Sequence, residues 1–528
     1  ILNDSDLLRM KNAGITVWDS TKSMNGSENL RVYSVISKAT DMLRFSYSNE
    51  IGSTAAAPSG MISRLRRIFP NAKQTSTASL NHAGETDAAA FAELASGIRN
   101  MIDSGEINES LNSLYSHFSG SESYFSRLDM LDKMFFNDNS PAALGSETAM
   151  RLYGRQLMGT ATRLETFNQC PFRYLIQFGM RLKERPQRTE KANDRGSFIH
   201  EAFDKLIKEY LNSDCDFSTI SAADIHEKLE RILPPMMIEH NNGILLDSAR
   251  MRAEFQRIAE LVETAALAVV KQINAGKFRP FASEVNFGHD NDAYPPLRIQ
   301  AENGVTYSIT GIADRVDKYV SPSNEEFIRI IDYKTYGQTF DYTELANGLR
   351  IQLPLYASAM QNAMRKETNN PLFTAGMYYL HIGDAQASEG ISEDKAENEI
   401  QRSFRMNGLT LNDENILEAM DSAFPGSSDV LYGVRYSKKE GMFKGSLADE
   451  DEMEETLEFA KKIAGKTLRA IMRGRIEVSP TEYHGKTACK YCPYISICCF
   501  DTTAGCRYRR PRAVDADKFF GRENKGKN

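Results

Sequence analysis

Two aspartates and a lysine on neighbouring segments are the residues best suited to chemistry in this chain. Asp314 lies in Gly311-Ile-Ala-Asp314-Arg-Val-Asp317, and Asp332-Tyr333-Lys334 follows eighteen residues later. Carboxylate oxygens are the hard ligands that Mg²⁺ takes, with positions left over for water and phosphate oxygens. A lysine beside them can orient an attacking water or offset charge building on a phosphate. Asp-x-Lys by itself is common in surface strands. Here both carboxylates end or follow runs rich in β-branched residues, 307–312 and 327–331.

Two further groups extend the pattern. His200 stands four residues after Gly196 on an amphipathic helical stretch. The imidazole could add a nitrogen ligand, and the glycine would let the helix start approach another backbone. Gln352 and Tyr356 are one helical turn apart, so they share a face and can reach a site at a sheet edge. The bland alternatives are a structural histidine and an amphipathic helix with an incidental Gln and Tyr.

These side chains need a sheet and helices to hold them. Periodicity predicts helices over 194–207 (with Asp194 as cap), 247–275, 343–364 and 451–473, and strands at 281–288, 305–319, 327–334 and 375–381. The acidic run from Asp449 to Glu455 is a solvated cap that complements a helix dipole. Upstream, 30–36 reads as strand-to-helix, 42–47 as a short buried strand, and 58–69 as a helix start. The stretches 88–95 and 111–118 read as helical, with loops at 119–124 and 137–141. The domains expected are 1–155 (an α/β and helical region), 156–510 (the site-bearing α/β domain) and 511–528 (a basic, solvated tail).

At 528 residues, with 41% apolar and 26% charged residues, the chain has the composition of a multidomain globular protein. No apolar run approaches a membrane span and no signal peptide is evident, so a cytoplasmic location with no membrane partner is expected. The chain opens on Ile1, as a fragment would. Net charge is −7, yet Arg507–Asn528 carries eight Lys/Arg against three Asp/Glu. A nucleic-acid groove is compatible with this balance, because local charge sets the steering field.

Seven cysteines are unevenly placed, five of them between 489 and 506. Cys489, Cys492 and Cys498 supply three thiols within ten residues, and Cys170 is the distant candidate for a fourth. Four thiolates suit tetrahedral zinc or a [4Fe–4S] cluster. Cys499, next to a ligand, would point elsewhere, Cys506 is an alternative ligand, and Cys215 stands apart.

In order, Gly-x₃-His, Gly-x₂-Asp-Arg-Val-Asp, Asp-Tyr-Lys-Thr and Gln-x₃-Tyr resemble the RecB-type nuclease family. That resemblance implies a restriction-endonuclease-like core, a central mixed sheet flanked by helices. It further implies His200, Asp314 and Asp332 as Mg²⁺ ligands with the Tyr333 carbonyl, and Lys334 as the catalytic lysine. Gln352 and Tyr356 would support substrate or Lys334. Asp317 would partner Arg315 or stand behind the site, and Glu284 would stand behind the ligands.

The one-plus-three cysteines around such a core are similar to those of iron–sulfur nucleases, most closely the AddB subunits of AddAB helicase–nucleases. The cluster would then staple the entry of the nuclease domain to its end, across more than three hundred residues (170 to 489). The segments 32–39 and 43–48 resemble the last motor motif of UvrD-like helicases, with Lys38 near the place of its arginine. No G-x₄-G-K-[ST] occurs, so ATP hydrolysis by this chain alone is not expected. The implied activity is metal-dependent exonucleolytic cleavage of the 5′-ended strand at double-strand breaks, with an AddA-like motor subunit. Double-stranded ends and single-stranded DNA would be bound. The alternatives are a stand-alone Cas4-like exonuclease and a non-catalytic DNA-binding scaffold.

Overall fold

The computed structural model describes residues 4–15, 21–48, 50–51, 54–74, 86–105, 109–136, 143–183, 185, 192–213, 216–240, 247–290, 292–301, 304–383, 388, 392–502 and 506–522. The chain forms two compact units, 1–124 and 125–528, so the division falls earlier than the 155/156 boundary expected.

The first unit is mainly helical, with helices at Thr21–Ile36, Gly60–Ile68, Asp87–Ser104 and Glu109–Ser119 and a short antiparallel pair of strands, Glu50–Ile51 with Thr54–Ala55. The expected strand at 42–47 runs as exposed coil, with Met42 86% accessible, and 30–36 lies wholly in a helix. Apolar residue types were the signal for a strand there, but strand propensity needs a pleated, half-buried partner surface to act on. Ser59 caps the Gly60 helix and Thr86 caps the Asp87 helix. The expected 137–141 loop and Cys215 lie outside the described residues.

The second unit is built on a six-stranded mixed sheet. Its strands are β2 (Arg279–Phe287), β5 (Gly311–Val320), β6 (Glu326–Lys334), β7 (Leu372–His381), β8 (Asn407–Leu411) and β9 (Leu447–Ala448), in the order β9-β8-β7-β6-β5-β2. β6 pairs antiparallel with β5 and parallel with β7. A central strand is covered on both faces, which is why Phe327–Ile331 is buried at every position and apolar at all but Arg329, instead of alternating. β1 (Gln156–Gly159), β3 (Leu297–Gln300) and β4 (Thr306–Ile309) make a separate three-stranded sheet. The stretch 305–319, expected as one strand, is therefore two strands of different sheets that meet at Thr310.

Helices α1 (Ala161–Gln169), α2 (Ala192–Asn212), α3 (Ala222–Glu239), α4 (Ala249–Ala275), α5 (Gln352–Met364) and α6 (Glu450–Met472) belong to the same unit. Asp194 is inside the first turn of α2 and not its cap. α4 starts on a Ser248 cap, and α6 on a capping box of Asp449 and Glu452, with the acidic run where the dipole favours it. The expected helix 343–364 is broken in two. A turn of helix at Tyr342–Ala346 ends at Gly348, whose φ of +68° suits glycine, and α5 begins anew at Gln352 with Pro354 in its first turn.

The basic tail is docked as far as Arg522. Phe519 packs on Tyr342 and Phe459, the Val514 amide donates to Thr343 Oγ1, and Arg522 pairs with Glu452 of the α6 capping box. Its aromatic pair, Phe519-Phe520, outweighs the solvation that its charge suggested.

Candidate active site

Residues on the ends of β2, β5 and β6 meet the first half of α2. Glu284 falls opposite Asp314, between the pairs Ser283–Arg315 and Val285–Ala313. Its φ of +47° is a left-handed conformation that costs a non-glycine residue about 1–2 kcal/mol. Such strain persists where surrounding structure holds it, typically at functional positions. One ligand atom from each of His200, Glu284 and Asp314 lies within 4.8 Å of the others. His200 Nδ1 is 3.4 Å from Asp314 Oδ2, and the Tyr333 amide donates to that same oxygen at 2.6 Å.

Asp332 stands beside this trio with both oxygens engaged. Lys334 Nζ is 2.5 Å from Oδ2, and Gln352 Nε2 donates to Oδ1 at 3.0 Å. Alternation along β6 sends the Tyr333 ring the other way, against Phe203 of α2. A cleft of about 490 Å³ opens over the cluster, lined by Gly196, His200, Glu284, Lys334 and Tyr336 among others.

The electrostatics follow from burial. Burial, then the neighbouring Asp314, push the Asp332 carboxyl up to about 7 against the pull of Lys334. Burial and Asp314 likewise push Glu284 up to about 7. For His200, burial disfavours the imidazolium, but the hydrogen bond and charge of Asp314 outweigh it and raise its pKa. Lys334 is held charged in the same way, with burial overcome by Asp332. Acidic oxygens crowded into a buried site are the signature of a place that takes a cation, and oxygens with one imidazole are a hard set suited to Mg²⁺ or Mn²⁺. The donor set fits such an ion.

Of the expected ligands, His200 and Asp314 converge, and Asp332 is adjacent but tied up by Lys334 and Gln352. Glu284, expected behind the ligands, is within the donor cluster; a carboxylate in a strand gave no sign that a left-handed residue would aim it there. Tyr356, expected to support substrate or Lys334, contacts the strand that carries Asp314. Its hydroxyl meets the Ile312 amide, and a Cβ on Gly311 would come 2.4 Å from it. Tyr356 thus braces the strand that carries Asp314, which is why residue 311 is glycine. Gly196 is less demanding than expected, with a Cβ there meeting only the Thr335 side chain at 3.7 Å. Asp317 is turned into the core, where it bridges Arg315 at 2.9 Å and Arg329 at 2.8 Å.

A residue that sequence reasoning missed is Glu165 of α1. Its Oε1 accepts the amides of Ile351 at 2.7 Å and Gln352 at 2.9 Å, closing the first turn of α5. A lone glutamate in a helical stretch carries no signal of such a distant role.

The cysteines gather at the far end of α1. Cys170, Cys489, Cys492 and Cys498 line one small cavity with Phe172, Pro480 and Phe500. Burial pushes the Cys489 thiol up to about 11, and raises Cys170 and Cys498 as well. Among the described residues no carboxylate lines this cavity. Four thiols without hard donors fit a thiophilic metal or cluster, whose positive charge would reverse the cost of ionising them. Backbone bonds from Phe172 to Glu477 and from Thr481 to Gln169 tie the two flanking segments together. Cys499 is exposed in a left-handed turn, and Cys506 is not part of the lining.

Residues 160–499 match the family model of the PD-(D/E)XK nuclease superfamily, and the chain belongs to that superfamily. Along nearly its whole length it is also similar to curated proteins named as the B subunit of an ATP-dependent helicase/deoxyribonuclease. The one from Clostridium tetani is 30% identical over 522 residues, which cover 96% of this chain and 45% of that protein. The one from Acetivibrio thermocellus is 28% identical over 515 residues, 95% of this chain and 45% of that protein. The one from Alkaliphilus metalliredigens is 26% identical over 535 residues, 99% of this chain and 46% of that protein. The chain spans somewhat under half the length of these relatives. Among the described residues no helix is long and apolar enough to cross a membrane.

Proposed function

We propose that this chain is the nuclease-bearing part of an AddB-type subunit, cytoplasmic, hydrolysing DNA phosphodiesters with a divalent cation beside an AddA-like motor subunit. The observation that carries this reading is the donor trio His200, Glu284 and Asp314 next to the Asp332–Lys334 pair, under one cleft.

In this reading His200, Glu284 and Asp314 would hold Mg²⁺, with Asp332 and the Tyr333 carbonyl as further oxygen donors. The bound cation would neutralise charge on the scissile phosphate and favour ionisation of a water. The Tyr333 amide fixes Asp314, and Gln352 fixes Asp332. Lys334, kept charged by Asp332, donates to the attacking water or to a non-bridging phosphate oxygen. The water oxygen gives up a proton to solvent and bonds to phosphorus as the bond to the leaving sugar oxygen breaks, and that oxygen takes a proton from solvent. The buried Asp317 stays out of the reaction.

The cysteine quartet is read as holding a [4Fe–4S] cluster, a staple between the entry and the end of the nuclease domain. The similarity of its one-plus-three spacing to iron–sulfur nucleases supports iron over zinc. The names of the relatives support work on DNA ends with a motor subunit, and the family resemblance supports cutting of the 5′-ended strand. Exonuclease assays of the complex with its motor and Mg²⁺ test the site. Asp332→Ala and Lys334→Ala should each lower cleavage about a hundredfold or more while DNA binding persists. Undiminished digestion by both variants would refute the assignment.

A further inference from the structure

We infer that Glu165 is a positioning residue of the cleavage reaction: from α1 it fixes the first turn of α5, and through Gln352 it sets the Asp332 carboxylate that Lys334 pairs with. The inference rests on the nuclease reading above and adds to it a residue that does not line the cleft.

The first amides of a helix have no partner within it. In α5 the cap position is Ile351, whose side chain can accept nothing. Glu165, 8% accessible, supplies the acceptor from 186 residues upstream, with one oxygen taking both the Ile351 and Gln352 amides. A capping side chain at 351 would accept from amides two or three residues on, not from those of residues 351 and 352, so their acceptor has to come from another element. Burying a carboxylate costs several kcal/mol unless it is well paired. What the distant carboxylate adds is a fixed distance between α1 and the start of α5.

That distance matters because of what α5 presents. Gln352 is its first residue, and its side-chain amide donates to Asp332 Oδ1, leaving Oδ2 to Lys334. Asn168, one turn along α1 from Glu165, adds a second tie by donating to the Gly348 carbonyl in the connection leading into α5. Misplacement of a reacting group by about 1 Å can cost about a hundredfold in rate. Loosening the start of α5 would therefore act on turnover, not on DNA affinity.

The test is steady-state cleavage of single-stranded DNA by the complex with its motor subunit and Mg²⁺, for wild type, E165A, E165Q, E165D, Q352A and E165A/Q352A. E165A should lower kcat about thirtyfold with KM for DNA nearly unchanged. E165Q, which keeps a carbonyl oxygen for both amides, should recover most of that loss, and E165D, one methylene short, should not. The double variant should be no slower than Q352A, because Glu165 acts through Gln352. Full kcat in E165A, or losses that multiply in the double variant, would overturn the inference. If E165A does not fold, E165D and E165Q, compared at equal thermal stability, decide it by the same criteria. A wild-type complex that cuts no DNA would remove the nuclease reading itself, whereas a cutting wild type with an indifferent Glu165 would remove this inference alone.

Discussion

Glu284 and Asp332 both sit near 7 for the same reason, burial beside Asp314. A carboxyl raised in the folded state binds more protons there than in the unfolded chain, between its ordinary range near about 4 and its folded value. Stability of the metal-free protein should therefore fall as pH rises through that window. A cation needs those carboxylates ionised, so Mg²⁺ or Mn²⁺ affinity should rise over the same range and release protons on binding. Calorimetry in two buffers of different ionisation enthalpy at pH 6 and pH 8 checks both signs. Glu284→Gln should flatten the pH dependence and weaken metal binding at least about tenfold; unchanged affinity would return Glu284 to a supporting place.

The strands hold these groups through contacts that the motif does not display. Asp317 lies between two buried arginines, Arg315 of its own strand and Arg329 of β6. Removing it would leave buried guanidinium charge without its partner. Asp317→Ala should cost about 3–5 kcal/mol in chemical denaturation, a stability loss that Asp332→Ala does not share. Gly311 faces the Tyr356 ring so closely that a methyl group cannot enter. Gly311→Ala should cost about 1–3 kcal/mol by overpacking and lower cleavage as well, since Asp314 is three residues on. A Gly311→Ala protein with wild-type stability would show that α5 gives way easily.

At the scale of the molecule, four cysteines line one cavity although nearly the whole nuclease unit lies between Cys170 and Cys489. Loop-closure cost grows only slowly with loop length, so a link from Cys170 to Cys489 still restricts the unfolded chain strongly. Purified without oxygen, the protein should contain about four irons per chain. Cys489→Ser should lose the iron and lower the melting temperature, whereas Cys499→Ser should change neither. A stably folded, iron-free protein with bound zinc would replace the cluster with a zinc site. The docked tail offers a second brace on the same unit through Arg522 and Glu452.

Much of the site was legible because its chemistry is local in sequence. Asp332 and Lys334 share one face of one strand by the two-residue period, and Gln352 and Tyr356 share one face by the helical period. The cysteine trio is equally short-range, and the strands expected at 281–288, 327–334 and 375–381 all take their places in the central sheet. Partners set by distance were not legible: Glu284 opposite Asp314, Glu165 beneath α5, and Phe519 against Tyr342. Each depends on which elements come to lie side by side, a matter of packing that no local period encodes. The helix break at Gly348 belongs with these, because a helical pattern continues across it and only the capping of α5 by Glu165 shows where the second helix begins. The sequence by itself determined which residue types could hold a metal and thiophilic group; the tertiary structure decided which of them meet, because ligand geometry is fixed by contacts between strands and helices far apart in the chain.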